Sequence, residues 1–406
     1  MIRKNDNPYR SLRKHLNKMP VGYPQTLSGV ELRILERIFT PRQASMATVL
    51  THEFEPAETI CKKAETVLST PMDTAACEAF LDEMVEKGGI FCKVVDGRKH
   101  YALVPFVVGM FEFQLGRLSP GFYEDAARYF RQGYALEYLS TAIPQMRVIP
   151  VQQSIAEKQH IATYDEARRL VEGAGDRIGV ADCICRKGKD LAGTPCQATD
   201  RRSLCIGLRD YFDLYYQQGW LRKITRDEAY DILSQSEEEG LVLQATNEQE
   251  PQAICACCGC CCGVLATLRH VPNRAEYAAG NFHARVNQHL CVGCGKCVER
   301  CHVDAIALQG NVAETDPDGC IGCGVCVPAC KKGAMVLLPR ARQNIPPMDT
   351  RALYDTILKE KRLLGKLRTG VKILLKRGQI YFSEKGTDLF FGKGDRFIIC
   401  FSAKSK

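Results

Sequence analysis

The sequence predicts an α+β protein. Three observations carry that expectation: helical apolar patterns alternate with short strand-like runs, a hairpin signal follows the helices of the first hundred residues, and capping and glycine stop signals bracket an apolar run from Arg177. With 406 residues, 45% of them hydrophobic, the chain can bury more than one core. Cysteine stands out at 22 residues, eighteen of them between positions 151 and 330. That middle segment has a net charge of −6, whereas residues 331 to 406 carry +12. The N-terminus is polar and basic, without the apolar core of a signal peptide, and the most apolar stretch, Tyr101 to Leu115, is broken by Pro105, Gly109 and Glu112. The expected location is therefore a reducing cytoplasm, where clustered thiols bind metal rather than pair as disulfides.

In residues 1–110, Leu27-Ser28-Gly29 precedes the apolar pattern Val30, Leu32, Ile34, Leu35 and Ile38. Thr40-Pro41 opens a second helix and Pro56 a third. Asp73 to Lys87 places Ala76, Phe80, Met84 and Val85 on one stripe and stops at Gly88-Gly89. Two strand-like runs, IFCKVV and HYALV, then flank an Asp96-Gly97 turn. Helix, turn, helix, hairpin is the order of a winged helix, so the region is expected to be winged-helix-like. Its would-be recognition helix carries Glu78, Asp82, Glu83 and Glu86 against Lys87, and phosphate would repel it. Protein docking or a structural role is expected there, not nucleic-acid binding. Cys61, Cys77, Cys92 and the distant Cys400 lack ligand spacing and read as small apolar residues.

Residues 111–285 are expected to form an α+β, cysteine-rich domain. A helical pair from Pro120 to Leu139 carries Phe122, Tyr123, Tyr129, Phe130, Tyr134 and Tyr138 at core spacing. Thr163-x-x-Glu166 and Thr225-x-x-Glu228 match the capping box and open helices ending near Gly173 and Gly240. Between them Arg177 to Cys185 reads as a strand and Ser203 to Gln218 as a helix stopped by Gly219.

The strongest signal is a repeat, CVGCGKCVERC from Cys291 and CIGCGVCVPAC from Cys320, both C-x2-C-x2-C-x3-C. Three cysteines at this spacing, interleaved with glycines, let one loop curl around a four-iron cube, and the fourth ligand comes from the other repeat. Cys291, Cys294, Cys297 and Cys330 would hold one [4Fe-4S] cluster; Cys320, Cys323, Cys326 and Cys301 would hold the second. Zinc sites pair two CxxC knuckles across a longer spacer, which this repeat lacks.

On these residues, and on the hairpin from Ala305 to Thr315 turning at Gly310-Asn311, residues 286–340 resemble a bacterial-type two-cluster ferredoxin domain. The resemblance implies low-potential, one-electron transfer. It departs from the pattern where proline usually follows the fourth cysteine: His302 and Lys331 stand there, and both side chains are expected to point to water.

Two further cysteine groups lie upstream. Cys183-Ile184-Cys185-Arg186, with Cys196 and Cys205, makes a four-thiolate set that would hold a third [4Fe-4S] cluster or a zinc ion, Arg186 stabilising its charge. The run ICACCGCCCG packs Cys255, Cys257, Cys258, Cys260, Cys261 and Cys262 into eight residues, too many for one centre. Pooled, the ten cysteines suffice for two cubes with two thiols left over. The CCG triplets resemble the cysteine motif of heterodisulfide reductases without that family's long spacers. Residues 25 to 340 as a whole look like multi-cluster 4Fe-4S binding proteins of anaerobes, a resemblance that implies electron transfer and names no substrate.

In the C-terminal tail, residues 341–406, the stretch 351–377 places Leu353, Ile357, Leu364, Leu367, Val371 and Leu374 or Leu375 near helical spacing among lysines and arginines. This basic amphipathic segment would cover the ferredoxin domain, dock an acidic partner or rest on the inner face of a membrane. No phosphate-binding loop or dinucleotide fingerprint is present in the sequence. The expected function is electron transfer between iron–sulfur clusters and a partner oxidoreductase. The alternatives are a redox-sensing DNA-binding regulator and a reductase with its catalytic site at CCGCCC.

Overall fold

The computed structural model describes residues 7–68, 72–156 and 161–367. Its mixed helices and antiparallel sheets bear out the α+β class. The N-terminal region holds helices α1 (Pro8–Leu16), α2 (Val30–Ile38), α3 (Pro41–Ala47), α4 (Ala57–Ala64) and α5 (Thr74–Glu86) and a three-stranded sheet. In that sheet β1 (Glu55–Pro56) and β2 (Ile90–Val95) flank β3 (Arg98–Leu103). Thr40 and Gln43 close a capping box on α3, and the Asp73 carboxylate accepts from the Ala76 N–H at the start of α5. Asp96 and Gly97 both adopt positive φ, 51° and 72°, as a two-residue hairpin turn requires. The buried stripe of α5 is Cys77, Leu81, Met84 and Val85; Ala76 is exposed and Phe80 lies half-buried under the Arg42 guanidinium. Phe80 thus turns to a cation–π partner, and smaller Cys77 takes the place against α4.

Helices α6 (Pro120–Tyr129) and α7 (Ala135–Tyr138), joined by a widened turn over 130–134, carry the aromatic stripe into the core. Tyr129, Tyr134 and Tyr138 are buried beside Tyr23 and Phe106. Asp125 on α6 pairs with both Arg33 and Arg37 on α2, at 2.8 and 3.0 Å.

Next comes a six-stranded antiparallel sheet of β4 (Met146–Ile149), β5 (Ile178–Asp182), β6 (Ser203–Leu208), β7 (Arg222–Lys223), β8 (Val242–Thr246) and β9 (Ala253–Cys257), ordered β4-β8-β9-β6-β5-β7. Strand alternation gives it two unlike faces. Ile178, Val180, Leu204, Ile206, Leu243 and Ile254 pack on α8 (Ala167–Glu172) and, later in the chain, on the 226–238 helix. Cys205, Cys255, Cys257 and Gln244 face the other way, toward aromatic side chains of the 209–217 helix and the N-terminal region.

Two expected elements differ. The strand from Arg177 ends at Asp182, and Cys183 caps α9 (Ile184–Leu191), because a bulge after Ala181 ends the ladder and the run RKGKD has no β-branched residue to extend it. The segment from Ser203 is first a strand, its alternating Leu204, Ile206 and Leu208 buried, and becomes helix α10 (Arg209–Gln217) only afterwards. Of the two capping boxes, Thr225 accepts from the Glu228 N–H to start α11 (Arg226–Glu238), while Glu228 turns to Arg222. Thr163 opens only a short turn, and α8 begins after Glu166.

Helices α12 (Gly263–Arg269) and α13 (Arg274–Ala278) lead into β10 (Phe282–Val286), which pairs with the last of the described strands. Between them lie α14 (Lys296–Glu299) and the hairpin of β11 (Ile306–Gln309) and β12 (Val312–Thr315); β13 (Met335–Pro339) closes the unit. It is fastened to the sheet by a buried network in which Arg147 and Asn281 both bind Asp165, Asn281 at 2.8 Å. In α15 (Thr350–Leu367), Leu353 and Ile357 are buried against Val21, so this part of the tail helix covers the N-terminal region and not the ferredoxin repeat. Residues 368–377 of the amphipathic pattern, and Cys400, lie outside the described residues. No helix among those described is long and apolar enough to cross a membrane.

Candidate metal centres

The repeat fits two cubes. Gly293, Gly295, Gly322 and Gly324 all take positive φ between 65° and 76°, the curl that lets each loop wrap a cluster. Backbone N–H groups aim at the sulfurs: Ala284 at Cys320 (3.3 Å), Ala305 at Cys301 (3.2 Å) and Ala313 at Cys291 (3.4 Å). Such donors stabilise thiolates and the charge of a reduced cluster. Charges bear on the thiols across the repeats: Cys291 and Cys330 help to raise the Cys297 thiol, and Cys320 and Cys301 help to raise those of Cys323 and Cys326. The two loops differ in setting. Cys294 is exposed and Cys291 partly so, with Leu290, Val292 and Leu308 open to solvent nearby. Cys320 and Cys326 are buried, and the Cys323 carbonyl accepts from the Val151 N–H just beyond β4.

His302 does not point to water. Its Nδ1 accepts from the Gly259 N–H at 3.2 Å and its Nε2 donates to the Gly240 carbonyl at 2.8 Å. Burial lowers its pKa, so the neutral tautomer matches this donor and acceptor pair. Lys331 is exposed, as expected.

The ten upstream cysteines divide six and four, across the boundary between the two sequence groups. Cys183, Cys185, Cys205, Cys255, Cys257 and Cys262 line a cavity of about 100 Å³, which Cys258 and Cys261 also border. Cys205 and Cys255 are direct cross-strand partners on β6 and β9, and Cys257 shares the Cys255 face two residues on. Cys183 reaches in from the end of β5, Cys185 from the first turn of α9 and Cys262 from the start of α12. Each thiol interacts with the next in the order 185, 183, 205, 255, 257, 262, and Cys262 faces Cys185 again, which makes a ring.

Cys196 leaves the set expected for it and joins Cys258, Cys260 and Cys261, all four sulfurs lying within 4.8 Å of one another. Neighbouring residues on an extended chain point to opposite faces, so Cys257 turns into the ring and Cys258 away from it. Arg186 stands between the centres, fully buried: Nε donates to Cys196 and Nη2 to Cys258, both at 3.4 Å, and Nη1 to the Ala256 carbonyl at 2.9 Å.

Three groups at the ring had no sequence signal. Gln244 Nε2 donates to Cys262 Sγ at 3.6 Å. Glu112 lines the cavity, its carboxyl raised to about 7 by burial although the Gly109 N–H donates to it at 2.9 Å. Val108, a β-branched residue at φ 54°, is held there by the Tyr211 hydroxyl donating to its carbonyl at 2.8 Å. Such a conformation costs about 1–3 kcal/mol and persists where the surroundings fix it. Cys61 and Cys77 are buried together and Cys92, half-buried, has its thiol pushed up to about 12 by burial, as befits apolar fillers.

No curated protein and no solved structure matches the chain. Residues 290–334 match a family model described as a 4Fe-4S dicluster domain, which together with the cysteine cluster supports metal binding and iron–sulfur electron transfer.

Proposed function

We propose that the protein is a multi-centre electron carrier in which a partner's low-potential electrons arrive at the cluster of Cys291, Cys294, Cys297 and Cys330. From there they pass to the cluster of Cys301, Cys320, Cys323 and Cys326, and end at a third iron–sulfur centre held by the six-thiol ring. The observation that carries this reading is the contact between the inner repeat and the cysteine-rich loop: Cys323, Cys260 and Cys261 pack against one apolar cluster, and Gly259 is bonded to the residue after Cys301. The outer loop, with exposed Leu290 and Val292, offers a partner an apolar surface beside Cys294. A ring of six thiols has room for the four corners of a cube.

Residues 1–110 read as a winged-helix-like module that docks protein. On its acidic helix, Asp82 is already bound by Lys99 at 2.6 Å and by the Tyr101 hydroxyl at 2.8 Å, so the Lys99 cation is not left for phosphate. The wider likeness to multi-cluster proteins of anaerobes agrees with this role, in the cytoplasm or at the inner membrane face.

The test is anaerobic purification of the full chain with iron counted. Two cubes in the repeat and one in the ring give about twelve irons per chain. Exchanging Cys183 and Cys185 together for serine should remove about four and leave the signals of the repeat unchanged. Iron that stays at about eight in both proteins would overturn the third centre. Repeat clusters that reduce at low potential while the ring centre stays oxidised would overturn the route.

A further inference from the structure

The compact four-cysteine group differs from every other thiol set among the described residues by its sulfur spacing. Cys196 lies 3.6 Å from Cys258 and 3.8 Å from Cys260; Cys260 lies 3.4 Å from Cys258 and 3.6 Å from Cys261. A tetrahedral ion with metal–sulfur bonds of about 2.3 Å holds its four sulfurs about 3.8 Å apart. A four-iron cube carries its thiolates on outer corners, roughly 6 Å apart. Four thiolates within 4.8 Å of one another can therefore surround one ion and cannot surround a cube. Among the described residues no other three ligating side chains converge so tightly, those of the ferredoxin repeat and of the six-thiol ring included.

The surroundings match such a centre. Four thiolates on a divalent ion leave two negative charges, and the buried Arg186 guanidinium meets them through N–H groups on Cys196 and Cys258. Backbone N–H groups of Ala198 and Thr199 point at Cys196, and that of Gln197 at Cys260. Each donor offsets thiolate charge without adding a ligand, and the set is closed, with no open position for a substrate.

We propose that Cys196, Cys258, Cys260 and Cys261 bind a single zinc ion, a redox-silent clasp that joins the loop after α9 to the CCGCCC loop. The clasp fixes which way the chain leaves β9, and so holds Cys257 and Cys262 in the ring. The inference is independent of the proposed electron route, because a clasp would be needed whatever the ring contains.

The test uses the full chain, expressed and purified without oxygen, with zinc and iron measured together. The wild type should hold about one zinc per chain. Exchanging Cys260 and Cys261 for serine should lower zinc at least tenfold while the eight irons of the repeat remain. Should that variant fail to fold, wild-type protein produced with cobalt in place of zinc serves instead. It should show the visible bands and sulfur-to-metal charge transfer of tetrahedral cobalt with four thiolates. Loss of about four irons from the variant, with no zinc bound in the wild type, would mean a cube at this site and overturn the proposal. A mononuclear iron signal in the wild type, or zinc content unchanged in the variant, would overturn it equally. Failure of the ring to hold iron leaves these zinc readings unaffected, so the two ideas fail separately.

Discussion

The N–H of Gly259 donates to Nδ1 of His302 at 3.2 Å, and a Cβ at Gly259 would meet the His302 carbonyl oxygen at 2.7 Å. The cysteine-rich loop and the ferredoxin repeat thus touch backbone to backbone, next to Cys258 on one side and Cys301 on the other. Only glycine allows that approach. The histidine that replaces the usual proline ties this contact to the Gly240 carbonyl at the end of α11.

Gly259→Ala must therefore push the two backbones apart. The expected cost is about 1–3 kcal/mol in denaturant unfolding, with iron content retained and electron arrival at the ring centre slowed. Full stability and an unchanged rate in this variant would show that the contact is incidental.

Crossed ligation gives a second expectation. Cys330→Ala should degrade the cluster of Cys291, Cys294 and Cys297, which lie far upstream, and spare that of Cys320, Cys323 and Cys326 close by in sequence. Paramagnetic resonance of the reduced variant reads which signal is lost, and loss of the signal from the inner, buried cluster instead would reject the grouping.

Much of this arrangement was legible in the sequence, and the parts that were not share a cause. The repeat is a local pattern whose spacing marks both loops, and the Gly310-Asn311 turn within the ferredoxin resemblance marks the β11–β12 hairpin. The α5 cap and the Asp96-Gly97 turn were likewise local. Nearness along the chain groups Cys196 with Cys183, Cys185 and Cys205, and the fold separates it from them, because the partition depends on a strand-to-helix switch at Cys183 and on the opposite directions of Cys257 and Cys258. The sequence makes β6 look helical because SLCIGL runs straight into the helical pattern from Arg209, with no turn residue between. Glu112 and Gln244 belong to elements distant in sequence, and nothing in their local context marks them.

Asp165 and Arg147 form a third test case. Their side chains are 2% and 1% exposed, and Asn281 also donates to Asp165, so one carboxylate joins the sheet to the ferredoxin unit. Asp165→Ala leaves a buried guanidinium unpaired and should cost about 3–5 kcal/mol, seen as an earlier unfolding midpoint with the cluster spectra intact before unfolding. A loss below about 1 kcal/mol would mean that the pair is solvated in the working protein.

Duplex DNA offers a fourth. Phosphate binding would show an affinity that falls steeply with salt as counterions are released. The full chain is expected to show no such salt-dependent affinity through its N-terminal region, since Glu78 and Asp82 face Lys99 and not solvent cations. Tight, salt-sensitive binding that vanishes when residues of α5 are exchanged would instead favour the regulator.

The pH dependence of stability turns on Glu248. It is 1% exposed, takes a hydrogen bond from the Thr246 hydroxyl at 2.8 Å, and sits beneath the start of α15 beside Tyr354. Desolvation outweighs the hydrogen bonds and raises its carboxyl from 4.5 to about 7. Between those values the native protein keeps a proton that the unfolded chain has released. Unfolding therefore loses a proton, and stability falls as pH rises through the window and levels off above it. Glu248→Gln cannot ionise, so its stability should lack this contribution to the slope. Between pH 5 and 7.5 the wild type should lose roughly 2–3 kcal/mol more than the variant. Comparing the two at each pH cancels slopes common to both, that of Glu112 included. Parallel stability curves for the two proteins would show that Glu248 is ionised and solvated in the fold.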